Sequence, residues 1–222
     1  TVNCVGVMGA GIAFEMKLRY PQMYKKYEEL CERNKIKIGK LWLYRHSNTK
    51  WILNFPTKND WKYPSKVEYL HAGLRKFRDN YKSKGIESVA FPLLGASNGG
   101  LNKDTVLIIM EDYLGNIDID VEIYLFDEYS RDNLFDTFSD YIINADIDTL
   151  NNNTKIKKTI LAKIKENIGN ENINTLSSLI KLRGIGEKSV EPLFHFFIEK
   201  INSEPSDKSD NINIQLQMDF IS

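Results

Sequence analysis

The chain has 222 residues, 42% of them hydrophobic, enough for one full α/β core and a small appendage. Thirty basic and thirty acidic side chains cancel, which argues against a histone-like nucleic-acid binder or a membrane-surface protein, so any basic patch must be local. Cys4 and Cys31 lack C-x-x-C spacing, His46, His71 and His195 lie far apart, and neither a long apolar run nor a charged-then-apolar leader appears. The expectation is a reduced cytoplasmic protein with no metal, no cofactor and no membrane attachment.

Thr1-Val2-Asn3 reads as the tail of a strand running straight into a glycine loop, so the sequence reads as lacking its natural beginning. From Gly11 the chain suits helices interrupted at Pro21, with Ile12, Met16, Leu18, Tyr24, Tyr27 and Leu30 as the apolar positions. KLWLYR and KWILNF are short β-rich runs joined by the turn-like HSNT, as in a hairpin. SKVEYLHAGLRKFRDNYKSK begins at Ser65 with Glu68 three residues on, a capping box, and ends at Gly85. SVAFPLLG predicts a buried strand ending in a second glycine-rich loop, GASNGGLN; Lys103 to Leu114 returns as a helix, and VEIYLFD is another strand.

Strands alternating with helices in this order predict a parallel or mixed sheet with helices on both faces, and ligands on such sheets bind at the carboxyl ends of strands, where both glycine loops fall. The expected domains are 1–140, a helical segment 141–202 of two or three short helices entered through NADIDTLNNNTK, and a flexible tail 203–222.

Each glycine loop leaves a strand and enters a helix, so each presents backbone N–H groups at a helix N-terminus, a natural cradle for a diphosphate. Such loops also serve as ordinary tight turns, and their wording is what makes them specific. VNCVGVMGAGIAFEMKLRYP, then NFPTKNDWKYPSKVEYLHAGL, then AFPLLGASNGGLN, spanning residues 1 to 127, resemble the macro-domain branch that includes terminal ADP-ribose glycohydrolases and DNA ADP-ribosyl glycohydrolase antitoxins.

That resemblance implies a three-layer α/β/α sandwich with a mixed sheet whose first strand would lie before Thr1, a strand that carries the family's acidic contact to adenine. It implies that Asn3 contacts the distal ribose and that Gly6, Val7, Met8, Gly9, Ala10, Gly11 and Ile12 wrap that ribose and the diphosphate. Leu94, Gly95, Ala96, Ser97, Asn98, Gly99, Gly100 and Leu101 match the second phosphate loop, and Thr57 precedes the lysine of F-P-T-K. That lysine, Lys58, falls on the residue that attacks the anomeric carbon; a lysine is a nucleophile only when uncharged, a state that burial favours. Some relatives carry an aspartate as acid or base in the second loop where this chain has Gly99, so leaving-group protonation is left unassigned.

The implied activity is hydrolysis of the bond between ADP-ribose and an acceptor, a nucleic-acid base among the candidates. RYPQMYKKYEELCERN also resembles a branch of ADP-ribose 1″-phosphate phosphatases, and a module that only binds ADP-ribose would keep the loops without needing Lys58. The sequence after residue 140 does not resemble the long carboxy-terminal domain of the antitoxins.

NTLSSLIKLRGIGEKSVEPLFHFFIEK resembles a helix-hairpin-helix module, in which backbone N–H groups around Gly184, Ile185, Gly186 and Lys188 would bind a DNA or RNA phosphate. Residues 155–200 hold nine basic against five acidic side chains, a local net charge of about +4. A plain helical hairpin is the competing reading; Pro192 fits its helix only within the first turn, and His195 among Phe194, Phe196 and Phe197 reads as core packing. The terminal Q-L-Q-M-D-F, Gln215 to Phe220, resembles peptides with which bacterial repair proteins dock onto the sliding clamp.

Overall fold

The structure, a computed structural model, describes residues 1–127, 130 and 132–202, together with the backbone of 203 and 218–221. It comprises two compact units, 1–126 with 211–222, and 127–210.

In the first unit the elements run β1 (Val2–Asn3), α1 (Gly11–Arg19), α2 (Pro21–Glu32), β2 (Leu41–Arg45), β3 (Trp51–Asn54), β4 (Pro56–Lys58), α3 (Val67–Asn80), β5 (Ser88–Pro92), α4 (Lys103–Leu114) and β6 (Asp120–Tyr124), with β7 (Met218–Ile221) closing it. Pro21 separates α1 from α2 by occupying the first position of the second helix, where its missing N–H costs nothing. The hairpin forms as expected, β2 pairing antiparallel with β3 from Trp42↔Asn54 to Arg45↔Trp51.

Strand β2 divides the core in two. Leu41 and Leu43 point into a cluster with Phe55, Leu70, Leu74, Phe77, Phe91 and Met110, built on α3 and α4. Trp42 and Tyr44, from the opposite face, join Val2, Met8, Met23, Tyr27 and Leu30, built around α2. Side chains alternate across a strand, so helices cover both faces of the β layer, and each fully buried large side chain contributes about 1.5–3 kcal/mol. This is the expected three-layer α/β/α arrangement.

Among the described residues the β layer forms three small sheets. β1 pairs parallel with β4, β5 pairs parallel with β6, and β2 lies between β3 and β7. A cleft of about 750 Å³, bordered by Val2, Leu53, Val89 and Phe91 among others, accompanies this division. β7 runs antiparallel to β2, from Leu41↔Ile221 to Tyr44↔Met218.

The capping box at Ser65 does not form. Lys66 is the N-cap of α3 and makes no side-chain cap, because the Ser65 backbone N–H donates instead to the Gly99 carbonyl at 2.9 Å. The helix gives way to a 3-10 turn and ends, as expected, at Gly85 in the left-handed conformation, φ +70°. α3 packs close to the β layer only because residue 73 is glycine: a Cβ there would lie 2.2 Å from Phe55 Cζ.

The second unit holds five helices among the described residues, more than expected: α5 (Asn133–Asn144), α6 (Ile147–Thr154), α7 (Lys158–Asn167), α8 (Leu176–Leu179) and α9 (Glu187–Ser203). Asp132, Asp146 and Thr175 cap three of them through their side chains, and Thr175 with Ser178 completes a capping box. Phe138, Leu150, Leu161, Leu176, Val190 and Phe197 are fully buried within it. Lys165 draws the end of α5 toward α7, its Nζ donating to the carbonyls of Ile142, Ile143 and Ala145. Pro192 sits inside α9 rather than in its first turn. None of the described helices is long and apolar enough to cross a membrane.

Candidate functional site

The loop leaving β1 is organised by Asn3. Its Oδ1 accepts from the backbone N–H of Val5 at 3.0 Å and of Val7 at 3.3 Å, and its Nδ2 donates to the Val7 carbonyl at 2.5 Å. The Tyr27 hydroxyl, from α2, is directed at both the Asn3 carbonyl, 2.7 Å, and Asn3 Oδ1, 3.1 Å. The carboxamide is buried and bonded to its own loop. Tyr27 is the partner that the sequence did not announce; its place on the buried face of α2, with Met23 and Leu30, was the available signal.

Loop 6–12 then presents its backbone. Gly6 and Gly11 take positive φ, +85° and +55°, which admit side chains only under strain. Gly6 and Met8 are buried, Val7, Ala10 and Ile12 are exposed, and Gly9 is half-buried. The N–H groups of Gly9, Ala10 and Ile12 have no backbone acceptor among the described residues. Behind the loop, burial pushes the thiols of Cys4 and Cys31 up to about 11, so both are neutral and poor nucleophiles at physiological pH.

The second loop is folded on itself: Gly100 N–H donates to the Ser97 carbonyl at 3.1 Å and Leu101 N–H to the Gly95 carbonyl at 3.1 Å. Leu94, Gly95, Ala96 and Gly99 are buried, Leu101 is half-buried, and Ser97, Asn98 and Gly100 face solvent. The N–H groups of Ser97 and Asn98 are left with no backbone acceptor among the described residues. The two loops meet, since a Cβ on Gly11 would lie 2.6 Å from Asn98 Nδ2. Each leads into a helix N-terminus whose dipole favours an anion. α1 has no acidic residue in its first turn, whereas α4 carries Asp104 there, so the field is more favourable at α1.

Lys58 ends β4, and the parallel pairing of β1 with β4 sets it directly opposite Asn3. Thr57 beside it is buried, and Lys58 is half-buried with Nζ donating to the Trp61 carbonyl at 3.4 Å. Candidate nucleophile, Asn3 and the first loop therefore share one strand end. Ser65, unremarked in the sequence beyond its capping role, ties the 59–65 segment to the second loop through Gly99; a Cβ on Gly99 would be 2.5 Å from Ser65 Oγ and 2.1 Å from the Gly95 carbonyl oxygen. An aspartate at this position cannot be accommodated without opening the loop.

In the helical unit, Ile185 is buried and anchors the turn, while Gly184, Gly186 and Lys188 are exposed. Gly184 has φ +81°, a Cβ on Gly186 would meet nothing within 4 Å, and the Lys163 ammonium donates to the Arg183 carbonyl. The N–H groups of Gly184, Gly186 and Lys188 lack backbone acceptors among the described residues. Phe194 and Phe197 are fully buried and His195 only partly, its Nε2 without a partner among the described residues. Of the tail motif Gln215–Phe220, residues 215–217 lie outside the described residues and 218–220 form most of β7.

Two loops with backbone donors unpaired among the described residues stand at the carboxyl ends of β1 and β5, each at a helix N-terminus, which gives this α/β domain the geometry of an anion cradle. The family model of the macro domain matches residues 1–110, and the chain belongs to the macro domain family. It is 43% identical over 128 residues to the DNA ADP-ribosyl glycohydrolase of Mycobacterium tuberculosis, covering 56% of this chain and 36% of the relative. Among solved structures it is similar to the macrodomain of Mycobacterium tuberculosis DarG, with a TM-score of 0.54 at 42% identity over 55% of this chain and 84% of the other. It is also similar to Thermosipho africanus DarTG in complex with ADP-ribose, with a TM-score of 0.55 at 38% identity over 60% of this chain and 38% of the other. The chain spans about a third of the length of the curated Mycobacterium relative, 36%.

Proposed function

We propose that this chain is an ADP-ribosyl glycohydrolase that removes ADP-ribose from a nucleic-acid base, with Lys58 as nucleophile. The observation that carries this reading is the β1–β4 register, which sets Lys58 against Asn3 at the mouth of the first loop. The relatives named DNA ADP-ribosyl glycohydrolase and the neighbour holding ADP-ribose support the same ligand and chemistry.

In this reading the diphosphate lies on the free N–H groups of Gly9, Ala10 and Ile12 and of Ser97 and Asn98, donors that need no reorganisation when the anion arrives. The distal ribose sits inside loop 6–12, whose shape Asn3 and Tyr27 hold. The Lys58 amine, once it has given up a proton, attacks the anomeric carbon and forms a C–N bond as the bond to the acceptor breaks, its electron pair leaving with the acceptor; water then cleaves the C–N bond, freeing Lys58 and ADP-ribose. No side chain is assigned to protonate the leaving group. The reduced thiols Cys4 and Cys31 accord with a cytoplasmic setting.

The helical unit supplies the nucleic-acid contact in the same reading: N–H groups of Gly184, Gly186 and Lys188, with exposed Lys181 and Arg183 nearby, would take a backbone phosphate and raise the local concentration of the acceptor strand. For Gln215 to Phe220 to serve as a docking peptide for the sliding clamp, β7 would have to leave β2, because Met218 to Phe220 are paired with that strand. The side-by-side test offers ADP-ribosylated DNA, ADP-ribosylated protein and ADP-ribose 1″-phosphate to the 222-residue chain. Release of ADP-ribose from DNA is expected. Turnover of the phosphate alone would make the chain a phosphatase, and binding of ADP-ribose with no turnover of any of the three would make it a reader.

A further inference from the structure

The segment that follows Lys58 exposes two aromatic rings to water. Trp61 is 51% and Tyr63 66% exposed, and Lys62 and Lys66, also exposed, stand beside them. Single exposed apolar side chains are ordinary on a protein surface, but this pair is placed and held. Cys4 N–H donates to the Asn59 carbonyl at 3.2 Å, which ties the segment to the first loop, and Ser65 N–H ties its other end to the second loop. Between these anchors, Asp60 accepts from the Lys62 N–H through its side chain at 3.0 Å and from the Tyr63 N–H through its carbonyl at 3.3 Å. The Trp61 carbonyl takes the Lys58 ammonium. Lys58 is thus bonded to the backbone of the residue that carries the ring, and Lys62 Nζ lies 5.6 Å from the ring centroid.

We propose that Trp61 and Tyr63 form a stacking platform for the bases of single-stranded nucleic acid, holding the acceptor strand beside Lys58; this rests on the glycohydrolase reading above. Every base has a flat π-face and every nucleotide an anionic phosphate, so exposed rings interleaved with Lys62 and Lys66 match a single strand in both respects. A duplex hides those faces in its own stack, and a base still paired there could not bring its glycosidic linkage to an amine on a protein loop. A globular protein acceptor presents no row of flat rings. Trp61 and Tyr63 are therefore positioning residues for the acceptor.

Of the three tryptophans, Trp42 is buried, Trp51 is half-buried and Trp61 alone is exposed, so base stacking is read as quenching of Trp61 fluorescence. Oligothymidylate should quench the 222-residue wild type, and should still quench Lys58→Ala, which loses one bond to the segment but keeps the Asn59 and Ser65 anchors. Trp61→Phe should lose the quenching while keeping most of the binding. On ADP-ribosylated single-stranded DNA, Trp61→Ala should raise KM by about 5- to 150-fold with kcat within twofold, Tyr63→Ala should act in the same direction, and Trp61→Phe should recover most of the loss. Affinity of Trp61→Ala for free ADP-ribose should be that of the wild type.

Absence of quenching at saturating oligothymidylate in low salt overturns the proposal, as does a wild-type KM in Trp61→Ala. An equal loss of free ADP-ribose affinity in Trp61→Ala also overturns it, because the ring would then serve the ADP-ribose itself. Quenching by oligothymidylate in a chain that releases ADP-ribose from no acceptor would sink the glycohydrolase reading and leave the platform standing.

Discussion

Gly99 is the position at which the candidate site is most tightly built. A Cβ there would lie 2.1 Å from the Gly95 carbonyl oxygen, 2.6 Å from the Gly95 carbonyl carbon and 2.5 Å from Ser65 Oγ, and two of these three are backbone atoms that cannot swing aside. Gly99→Ala should therefore push the two limbs of the second loop apart. Overpacking of this kind costs about 1–3 kcal/mol, and separating the Gly99 carbonyl from the Ser65 N–H forfeits a hydrogen bond of about 1 kcal/mol. The sum, about 2–4 kcal/mol, should lower the melting midpoint of the first unit by roughly 6–15 °C. All three tryptophans lie in that unit, so tryptophan fluorescence follows its melting without interference from the helical unit. Calorimetry with ADP-ribose should show affinity down by at least about tenfold, a loss of 1.4 kcal/mol, because the free donors of Ser97 and Asn98 move with the loop. Gly100→Ala is the control: its φ of +77° brings backbone strain, yet its Cβ would meet nothing within 4 Å. A Gly99→Ala protein that melts within 2 °C of wild type and binds ADP-ribose equally well, with ~2 °C taken as the noise of the assay, would refute this account of the loop.

Lys58→Ala should abolish release of ADP-ribose while leaving ADP-ribose affinity within a few fold, because losing a nucleophile removes chemistry more than ground-state binding; unchanged turnover would move the chemistry elsewhere. Gly186→Glu should weaken DNA binding without altering ADP-ribose affinity, since its side chain enters open space in the fold but blocks close approach of a phosphate. In a fluorescence titration wild-type DNA binding should weaken as salt rises, with a shallow slope, and no binding even at low salt would reduce the hairpin to packing. Cys4 and Cys31 have folded pKa values raised from 9.0 to about 11 by burial, so the neutral-thiol contribution to stability is complete below pH 9 and lost as pH rises through 11. Denaturant midpoints of the first unit should fall across that window, and by less in Cys4→Ser.

The sequence made the two glycine loops legible because their signal is local: a strand, small residues and a helix start within a dozen positions of one another. The pairing of Asn3 with Lys58 was not legible from spacing, since it depends on two parallel strands separated by α1, α2 and a hairpin; the reading of Lys58 rested on family wording, and β4 itself, three residues long and opening on Pro56, carries no strand pattern. Local signals also misled. Ser65 and Glu68 have capping-box spacing, but the Ser65 N–H is claimed by Gly99, a contact that only the folded chain brings about. The division of the β layer into three small sheets and the five helices of the second unit were likewise set by packing across distance.

The same contrast separates the parts of the site by kind. The proposed phosphate cradle is backbone, fixed by glycine conformation and helix termini, and can be read from residue type alone. The proposed reacting end is side chain, carried by a strand against which α3 packs. Gly73 allows that close packing through Phe55, which immediately precedes β4 and Lys58. A position with no polar chemistry thus bears on where β4 lies, while the β1–β4 register sets Lys58, the nucleophile in the proposed reading, opposite Asn3.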